Sequence, residues 1–206
     1  MKKGVTLDVY RNIKKKFGDH ASWAIWSEPQ SGNWSSKEDV GDLSVFDDTQ
    51  ILKELNPNIV FLSICRSREY EVTINPPAWL NFHDGRSIGQ DYKLRYALHG
   101  TPFWGSYITN LVVTEICEHG SHSTFDDACY QSLVNELREL PAREPLIIVA
   151  LGTAVVKTFE TGPMRPLSKV FFSTLFINSY LQDLPCNFLQ IGRAFAIPAS
   201  CADVSD

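Results

Sequence analysis

Three short apolar runs, separated by stretches with helical periodicity, dominate the pattern of this chain. They lie at residues 59–67, 107–112 and 145–152, and polar residues or glycine stand near the end of each run. Continuous apolar runs of this length are typical of strands buried on both faces of a parallel sheet. The alternation predicts an α/β fold: a three-layer α/β/α sandwich with a central, mostly parallel, roughly four-stranded sheet.

Helices are predicted where apolar residues recur at every third or fourth position, as in residues 7–17, 48–55 and 91–98. A longer helix, which would connect the second and third strands, is predicted after Ser123 and Asp126 because their spacing resembles a capping box.

Beyond the third run, residues 153–159 predict a helix and residues 188–191 a last strand. The apolar stretch at 170–181 alternates poorly, so both helix and strand stay open there. With 206 residues we expect one domain over 1–206, in which residues 1–57 form a helical and loop arm packed on the rest.

Composition narrows the class of protein. The chain is 44% hydrophobic and 21% charged, and no apolar run is long enough to cross a bilayer. The start is basic but lacks the apolar stretch of a secretory signal, so we expect a cytoplasmic protein with no membrane partner. Five cysteines stand singly, without the paired spacing of zinc or dithiol sites, so no metal and no cofactor is expected.

Charge argues against a strongly basic nucleic-acid binder, because the formal net charge is -5. The distribution is uneven, however. Residues 63–95 carry a net charge of +1, whereas residues 114–144 carry -5. An acidic outer helix and a mildly basic strand-end region are therefore expected on one molecule, which permits DNA as a partner.

The ends of the predicted strands mark the expected site, since ligands of open α/β sheets bind outside the carboxyl ends of the strands. The polar residues there are Ser63 to Ser67 on the first strand and Thr109 and Asn110 on the second, and Gly152 is at the end of the third. The long connection over residues 69–90 is also of a length typical of functional loops.

Four segments carry a resemblance to a known family. They are Asn-Phe-His at 81–83, Asp-Tyr-Lys-Leu-Arg-Tyr-Ala-Leu at 91–98, Gly-Thr-Pro-Phe-Trp-Gly-Ser-Tyr-Ile-Thr-Asn at 100–110 and Ala-Leu-Gly at 150–152. With them the chain resembles the uracil-DNA glycosylase superfamily, and more closely a branch of bacterial members of it, over roughly residues 20 to 195. The resemblance implies a protein that flips a base out of DNA and hydrolyses its N-glycosidic bond.

The resemblance also implies roles for particular residues. Asn110 would read the edge of the flipped base, Phe82 would stack on it, and Ser63 would line the same pocket. His83 and Asp84 could supply acid and base chemistry, and Asp91 is a further catalytic candidate. Residues 66–68, which are Arg66, Ser67 and Arg68, would contact DNA phosphates.

The chain departs from the family pattern at two positions where the family has catalytic residues. Cys65 stands where an Asn is usual for positioning water, and a neutral thiol is a weak donor and acceptor. Arg193 stands where a His is usual for stabilising the departing base, although an arginine could also stabilise an anionic base or bind phosphate. Both are candidate catalytic residues, and a changed pocket would suit a modified or unusual base better than plain uracil.

Structural roles remain open for several of these residues. Asn110 could satisfy the backbone at a strand end, and Phe82 could anchor a loop. Asp91 could simply cap a helix, and Cys65 could be a buried thiol.

Three functions are compatible with the sequence. The first is a glycosylase acting on single- or double-stranded DNA, in repair or in defence against phage with modified bases. The second is a catalytically inactive glycosylase-fold module that binds nucleic acid, a nucleotide or a protein partner. The third and weakest is a nucleotide hydrolase, because the first strand lacks a glycine-rich phosphate loop.

Overall fold

A computed structural model describes the chain over residues 5–67, 76–86, 89–117, 126–142, 146–152, 155–158 and 196–197. In these ranges five strands form one sheet: β1 (Ser22–Trp23), β2 (Asn56–Ser67), β3 (Ser106–Cys117), β4 (Leu146–Ala150) and β5 (Ala196–Ile197). Their order is β1-β3-β2-β4-β5. The three central strands are parallel, and a two-residue strand pairs antiparallel at each edge.

The central strands are long apolar runs because both of their faces are covered. Val60 of β2 lies beside Tyr107 and Ile148, and these side chains join the larger core cluster on one face of the sheet. Phe61 and Ile108, one position further along, join a second cluster on the opposite face. Alternation of side chains along each strand produces this division, as the continuous hydrophobic pattern predicts.

In the described part of the chain three longer helices pack around the sheet, α1 (Leu7–Phe17), α2 (Asp91–Leu98) and α3 (Asp127–Glu139), and residues 155–158 of the helix predicted at 153–159 are also helical. Buried residues of α1 and α3 belong to the larger cluster, whereas Leu94 and Leu98 of α2 belong to the second. Two short 3-10 helices, Ser44–Asp47 and Thr49–Lys53, precede β2.

Gly105 fixes the start of β3 between its two neighbours. Its N–H donates to the carbonyl of Ala24, and its own carbonyl accepts the N–H of Asn56. The residue has φ of 79°, and a side chain there would bring Cβ into collision with the carbonyl oxygen of Glu54. Only glycine fits this position without displacing the backbone.

The mixed α/β class and the parallel centre of the sheet are confirmed, as are the predicted helices at 7–17 and 91–98. The prediction for α3 was wrong in its start, because Asp126 is the N-cap and its carboxylate accepts the N–H of Cys129 at 2.9 Å. A 3-10 helix replaces most of the helix predicted at 48–55. Ser123, the stretch at 170–181 and the strand predicted at 188–191 lie outside the described residues.

The N-terminal segment contributes to the sheet as well as packing on it. Strand β1, which was not predicted from the sequence, pairs with β3 through Ser22 opposite Ile108 and Trp23 opposite Tyr107. A strand of two residues has too few positions to show a period of two, so no sequence pattern marks it.

Candidate functional site

The carboxyl end of β4 lies beside the middle of β2 and β3, which continue together to Ser67 and Cys117. Leu62 lies opposite both Thr109 and Ala150, and the N–H of Leu151 donates to the carbonyl of Leu62 at 2.8 Å. Strands β3 and β4 lie on opposite sides of β2, so the connection from β3 to β4 crosses over β2. Such a reversal of strand order opens a crevice at the carboxyl ends of the strands, where α/β proteins bind their ligands.

Asn110, like Thr109 before it, is a buried polar residue of β3 at the level where β4 ends. The side-chain nitrogen of Asn110 donates to the main-chain carbonyl of His20 at 3.3 Å, and Asn110 as a whole is 0% exposed. The side-chain oxygen has no hydrogen-bond partner among the described residues. Leaving a buried acceptor unpaired costs about 1 to 3 kcal/mol, so a polar partner from a ligand would be favoured there.

Ser63 lies directly opposite Asn110 in the register of β2 and β3. Because the two residues follow Phe61 and Ile108 by two positions, their side chains share the face of the second core cluster. Ser63 is half-buried. The structure therefore brings together two of the three residues expected to line the pocket.

Phe82, the third of these residues, packs against the same core cluster from the loop at 76–86. Its φ of 68° is unfavourable for a side chain of this size, at a cost of about 1 to 3 kcal/mol. Contacts on both sides hold it: the indole of Trp26 donates to the carbonyl of Phe82 at 3.3 Å, and the amide of Asn81 donates to the carbonyl of His20. The carbonyl of His20 thus holds Asn110 directly, and it holds Phe82 through the neighbouring residue Asn81.

His83 lies in the interior beside β1. Its Nε2 lies 3.0 Å from the carbonyl of Ile25, and Nδ1 lies 3.3 Å from the hydroxyl of Ser22 and 3.2 Å from the carbonyl of Asn81. Burial lowers the pKa of His83 to about 4, and the hydrogen bonds offset only part of that effect. A neutral, fully enclosed imidazole favours a structural role over acid and base chemistry.

Asp91 begins helix α2, and its carboxylate accepts the N–H of Asp84 at 2.7 Å. This contact closes the loop that precedes the helix. The carboxylate of Asp84 in turn binds Arg86 through both Nε and a terminal nitrogen, each at 2.8 Å. The N-cap of α2 is Gln90, and Asp91 lies in the first turn, where the helix dipole favours a carboxylate, so the geometry supports a structural role for Asp91.

The other predicted site residues are described in part or not at all. Cys65, Arg66 and Ser67 form the end of β2, where the main chain pairs with β3 and the register shifts after Cys65. The description of these three residues is limited to the main chain, whereas Arg68 and Arg193 lie outside the described residues.

Two arginines counted toward a basic strand-end region are engaged within the protein. Arg95 is buried, and its guanidinium donates to the carbonyls of Glu38 and Ser36, both at 2.7 Å. Arg86 pairs with Asp84. Arg95 therefore fastens the loop at 27–43 onto α2 and is not available to a phosphate.

A cluster of ionisable groups around the buried ring of His20, which we call the His20 cluster, was missed in the sequence. It consists of Asp19, His20, Tyr107 and Glu136. Nδ1 of His20 donates to the carboxylate of Asp19 at 2.7 Å, and Nε2 donates to that of Glu136 at 3.0 Å. The hydroxyl of Tyr107 donates to the second oxygen of Glu136 at 2.8 Å.

His20 carries a charge in this arrangement, because each of its ring nitrogens faces a negatively charged carboxylate. Burial by itself would lower the pKa of His20, but the carboxylates of Asp19 and Glu136 outweigh burial and raise it to about 9. Glu136 is 1% exposed, so the pair lies in the interior. The sequence did contain a signal for this cluster: Glu136 falls on the apolar stripe of α3, three residues after Leu133 and four before Leu140.

Comparison with models of known protein families, with curated proteins and with solved structures finds no match to this chain. In the described ranges no helix is long and apolar enough to cross a membrane. Nor do those ranges contain a group of three His, Cys, Asp or Glu side chains arranged to hold a metal ion.

Proposed function

We propose that this chain is a DNA glycosylase-like protein on a three-layer α/β/α domain, which flips a base from DNA and hydrolyses its N-glycosidic bond. The observation that carries the proposal is Asn110, a buried amide inside β3 near the carboxyl end of β4, whose oxygen lacks a partner among the described residues. Uracil or, in keeping with the changed residues of the pocket, a modified base would supply the missing donor.

The neighbours of Asn110 support this proposal. An amide presents a donor and an acceptor side by side, which matches the alternating edge of a nucleobase. Ser63 adds a hydroxyl beside it, and Phe82 offers a ring on the same face of the sheet. An aromatic ring beside a polar edge reader is the combination that holds a flipped base by stacking and hydrogen bonding.

In the proposed reaction, water attacks C1′ of the sugar and the bond from C1′ to the base breaks. The bonding electrons leave with the base, which takes up a proton, and the water oxygen becomes the new hydroxyl on C1′. Cys65 and Arg193 are the residues we propose for positioning the water and stabilising the departing base. Phosphate contacts are assigned to Arg66, Ser67 and Arg68 on the same basis.

A catalytically inactive binding module is the second candidate, and the placement of His83 favours it. The imidazole expected to perform acid and base chemistry is buried, neutral and in contact with main-chain carbonyls. Such a module would bind nucleic acid, a nucleotide or a protein partner through the same strand ends without breaking a bond.

An excision assay separates the two candidates. Oligonucleotides, single- and double-stranded, would carry uracil and a panel of modified cytosines and thymines, and alkali-labile breaks would be scored. We expect one base to be excised, and Asn110→Ala to reduce kcat/KM about 100-fold, which is the loss of two hydrogen bonds at about 1 to 1.5 kcal/mol each.

Thr109→Val is the matched control, because Thr109 precedes Asn110 on β3 and points to the other face of the sheet. Its excision rate should equal that of the wild type. Unchanged excision by Asn110→Ala would remove Asn110 from the site. Binding without excision of any base would establish the inactive module instead.

A further inference from the structure

The two ends of His20 serve different parts of the molecule. Its side chain lies in the His20 cluster, between Asp19 and Glu136. Its main-chain carbonyl accepts hydrogen bonds from Asn81 and Asn110, the residues that hold the loop of Phe82 and the candidate base-reading amide. His20 therefore connects an ionic cluster to the candidate site through a single residue.

The carbonyl of His20 decides which end of the Asn110 amide faces which way. A carbonyl oxygen only accepts hydrogen bonds, so Asn110 must turn its nitrogen toward it. The oxygen of the amide is then the atom left without a partner among the described residues. A base that presents a ring N–H, as uracil and thymine do, satisfies that oxygen, whereas the ring nitrogen of cytosine at the same position is an acceptor and repels it.

The carbonyl can only orient the amide if its own peptide plane is fixed. On the main-chain side, the N–H groups of His20 and Ala21 both donate to the carbonyl of Phe17, at 3.1 and 2.8 Å. On the side-chain side, the two carboxylates hold the ring from both nitrogens. Fixing both sides of one residue removes the rotations that would carry the carbonyl away from Asn110.

The cluster is also anchored to the strand that carries Asn110. Tyr107, whose hydroxyl holds Glu136, lies three residues before Asn110 on β3. The path from Tyr107 through Glu136 and His20 to Asn110 thus begins and ends on the same rigid strand. A closed path of this kind fixes the relative position of its members better than a single contact does.

We propose that His20 is a positioning residue of the candidate site: its ring, held between Asp19 and Glu136, fixes the carbonyl that turns the oxygen of Asn110 toward the bound base, and so selects bases with a ring N–H. The selectivity part of this proposal rests on the proposed function. The positioning part concerns the free protein and is tested separately.

The first experiment observes the side-chain amide of Asn110 by NMR in the isotopically labelled full-length chain, assigned by its loss in Asn110→Ala. Glu136→Gln keeps the size of the side chain and an acceptor for Tyr107 but removes the charge that faces His20. We expect the amide signal to shift and its hydrogens to exchange about tenfold faster, which is the loss of about one hydrogen bond.

Glu139→Gln is the matched control. It makes the same chemical change one turn further along α3, where the carboxylate contacts Lys16 and Asn12 at the surface. The signal of Asn110 should be the same as in the wild type. Asp19→Asn is a milder second variant, because the side chain of Asp19 is 68% exposed, and it should move the signal in the same direction by less.

The second experiment measures selectivity, as the ratio of kcat/KM for a uracil-type base to that for a cytosine-type base. We expect Glu136→Gln to lower this ratio about tenfold, while the melting temperature shows that the protein is folded. An unchanged amide signal in both Glu136→Gln and Asp19→Asn would overturn the positioning role. If the wild type excises nothing, the proposed function fails while the NMR result still decides the role of His20.

Discussion

Two buried histidines, one on each side of strand β1, show how different partners give one residue type opposite properties. His20 precedes β1 and is 8% exposed, and His83 packs beside β1 from the loop at 76–86 and is 0% exposed. His20 faces two carboxylates, whereas His83 faces carbonyls, a hydroxyl and the rings of Trp26 and Phe46 at 5.1 Å. Full charges hold a proton in the interior, and neutral dipoles do not.

The pKa values follow this difference in partners. Burial would lower both, but the carboxylates around His20 raise its pKa to about 9, while the pKa of His83 falls to about 4 because only uncharged groups oppose burial. His20 is therefore charged and His83 neutral at pH 7. His83 was expected to be the catalytic histidine because of its motif, but a motif does not reveal which charges surround a ring.

The largest expected effect comes from removing the charge that faces His20. Glu136→Ala would leave a buried imidazolium without one of its carboxylates and the hydroxyl of Tyr107 without an acceptor. We expect it to lower the free energy of unfolding by about 3 to 5 kcal/mol, measured by urea denaturation at pH 7. Glu139→Ala, on the exposed side of the same helix, should cause no resolvable change.

A loss below about 1 kcal/mol for Glu136→Ala would contradict this view of the cluster, since it would mean that the ion pair is no more stabilising than an exposed one. The two histidines would then differ less than their contacts indicate.

The pH dependence of stability should separate the two histidines by sign. The pKa of His20 is raised, so its contribution is complete below pH 6.5 and is lost as the pH rises through about 9. The pKa of His83 is lowered, so the contribution of His83 to the free energy of unfolding is complete above pH 6.5 and is lost as the pH falls toward 4. Each of these two pKa shifts corresponds to about 3 kcal/mol in the free energy of unfolding.

The measurement compares the free energy of unfolding of the wild type with those of His20→Gln and His83→Gln between pH 4 and pH 9. The advantage of the wild type over His20→Gln should shrink only on the alkaline side. Its advantage over His83→Gln should shrink only on the acid side. The same sign for both variants would show that the two sites do not differ in charge.

The smallest expected effect is that of Tyr107→Phe, which removes one hydrogen bond from the His20 cluster and leaves the ion pair in place. Glu136 would lose a donor while keeping His20, so we expect a loss of about 1 to 2 kcal/mol in the free energy of unfolding. Its pH profile should keep the alkaline loss assigned to His20. If that loss disappeared, Tyr107 would be shown to control the charge of the ring rather than merely to support Glu136.

Much of the fold was predictable because its signals are local. The three apolar runs became the parallel strands, and the segment at 91–98 became helix α2 with the predicted bounds. Ser63 and Asn110 were expected to meet at the strand ends, and the register places them opposite each other. Strand β1 was missed, since two residues carry no periodicity, and the start of α3 was misplaced because Asp126 itself is the cap.

The sequence by itself determined the three central strands and helices α1 and α2, because periodicity depends on neighbours in the chain. Only the tertiary structure decided the charge of each histidine. His20 and Glu136 are 116 residues apart in sequence, and His83 takes its partners from β1 and the residues just after it, 58 and 61 residues earlier. Electrostatic environments are formed by residues brought together through folding, so the sequence supplies the groups while the fold sets their charge.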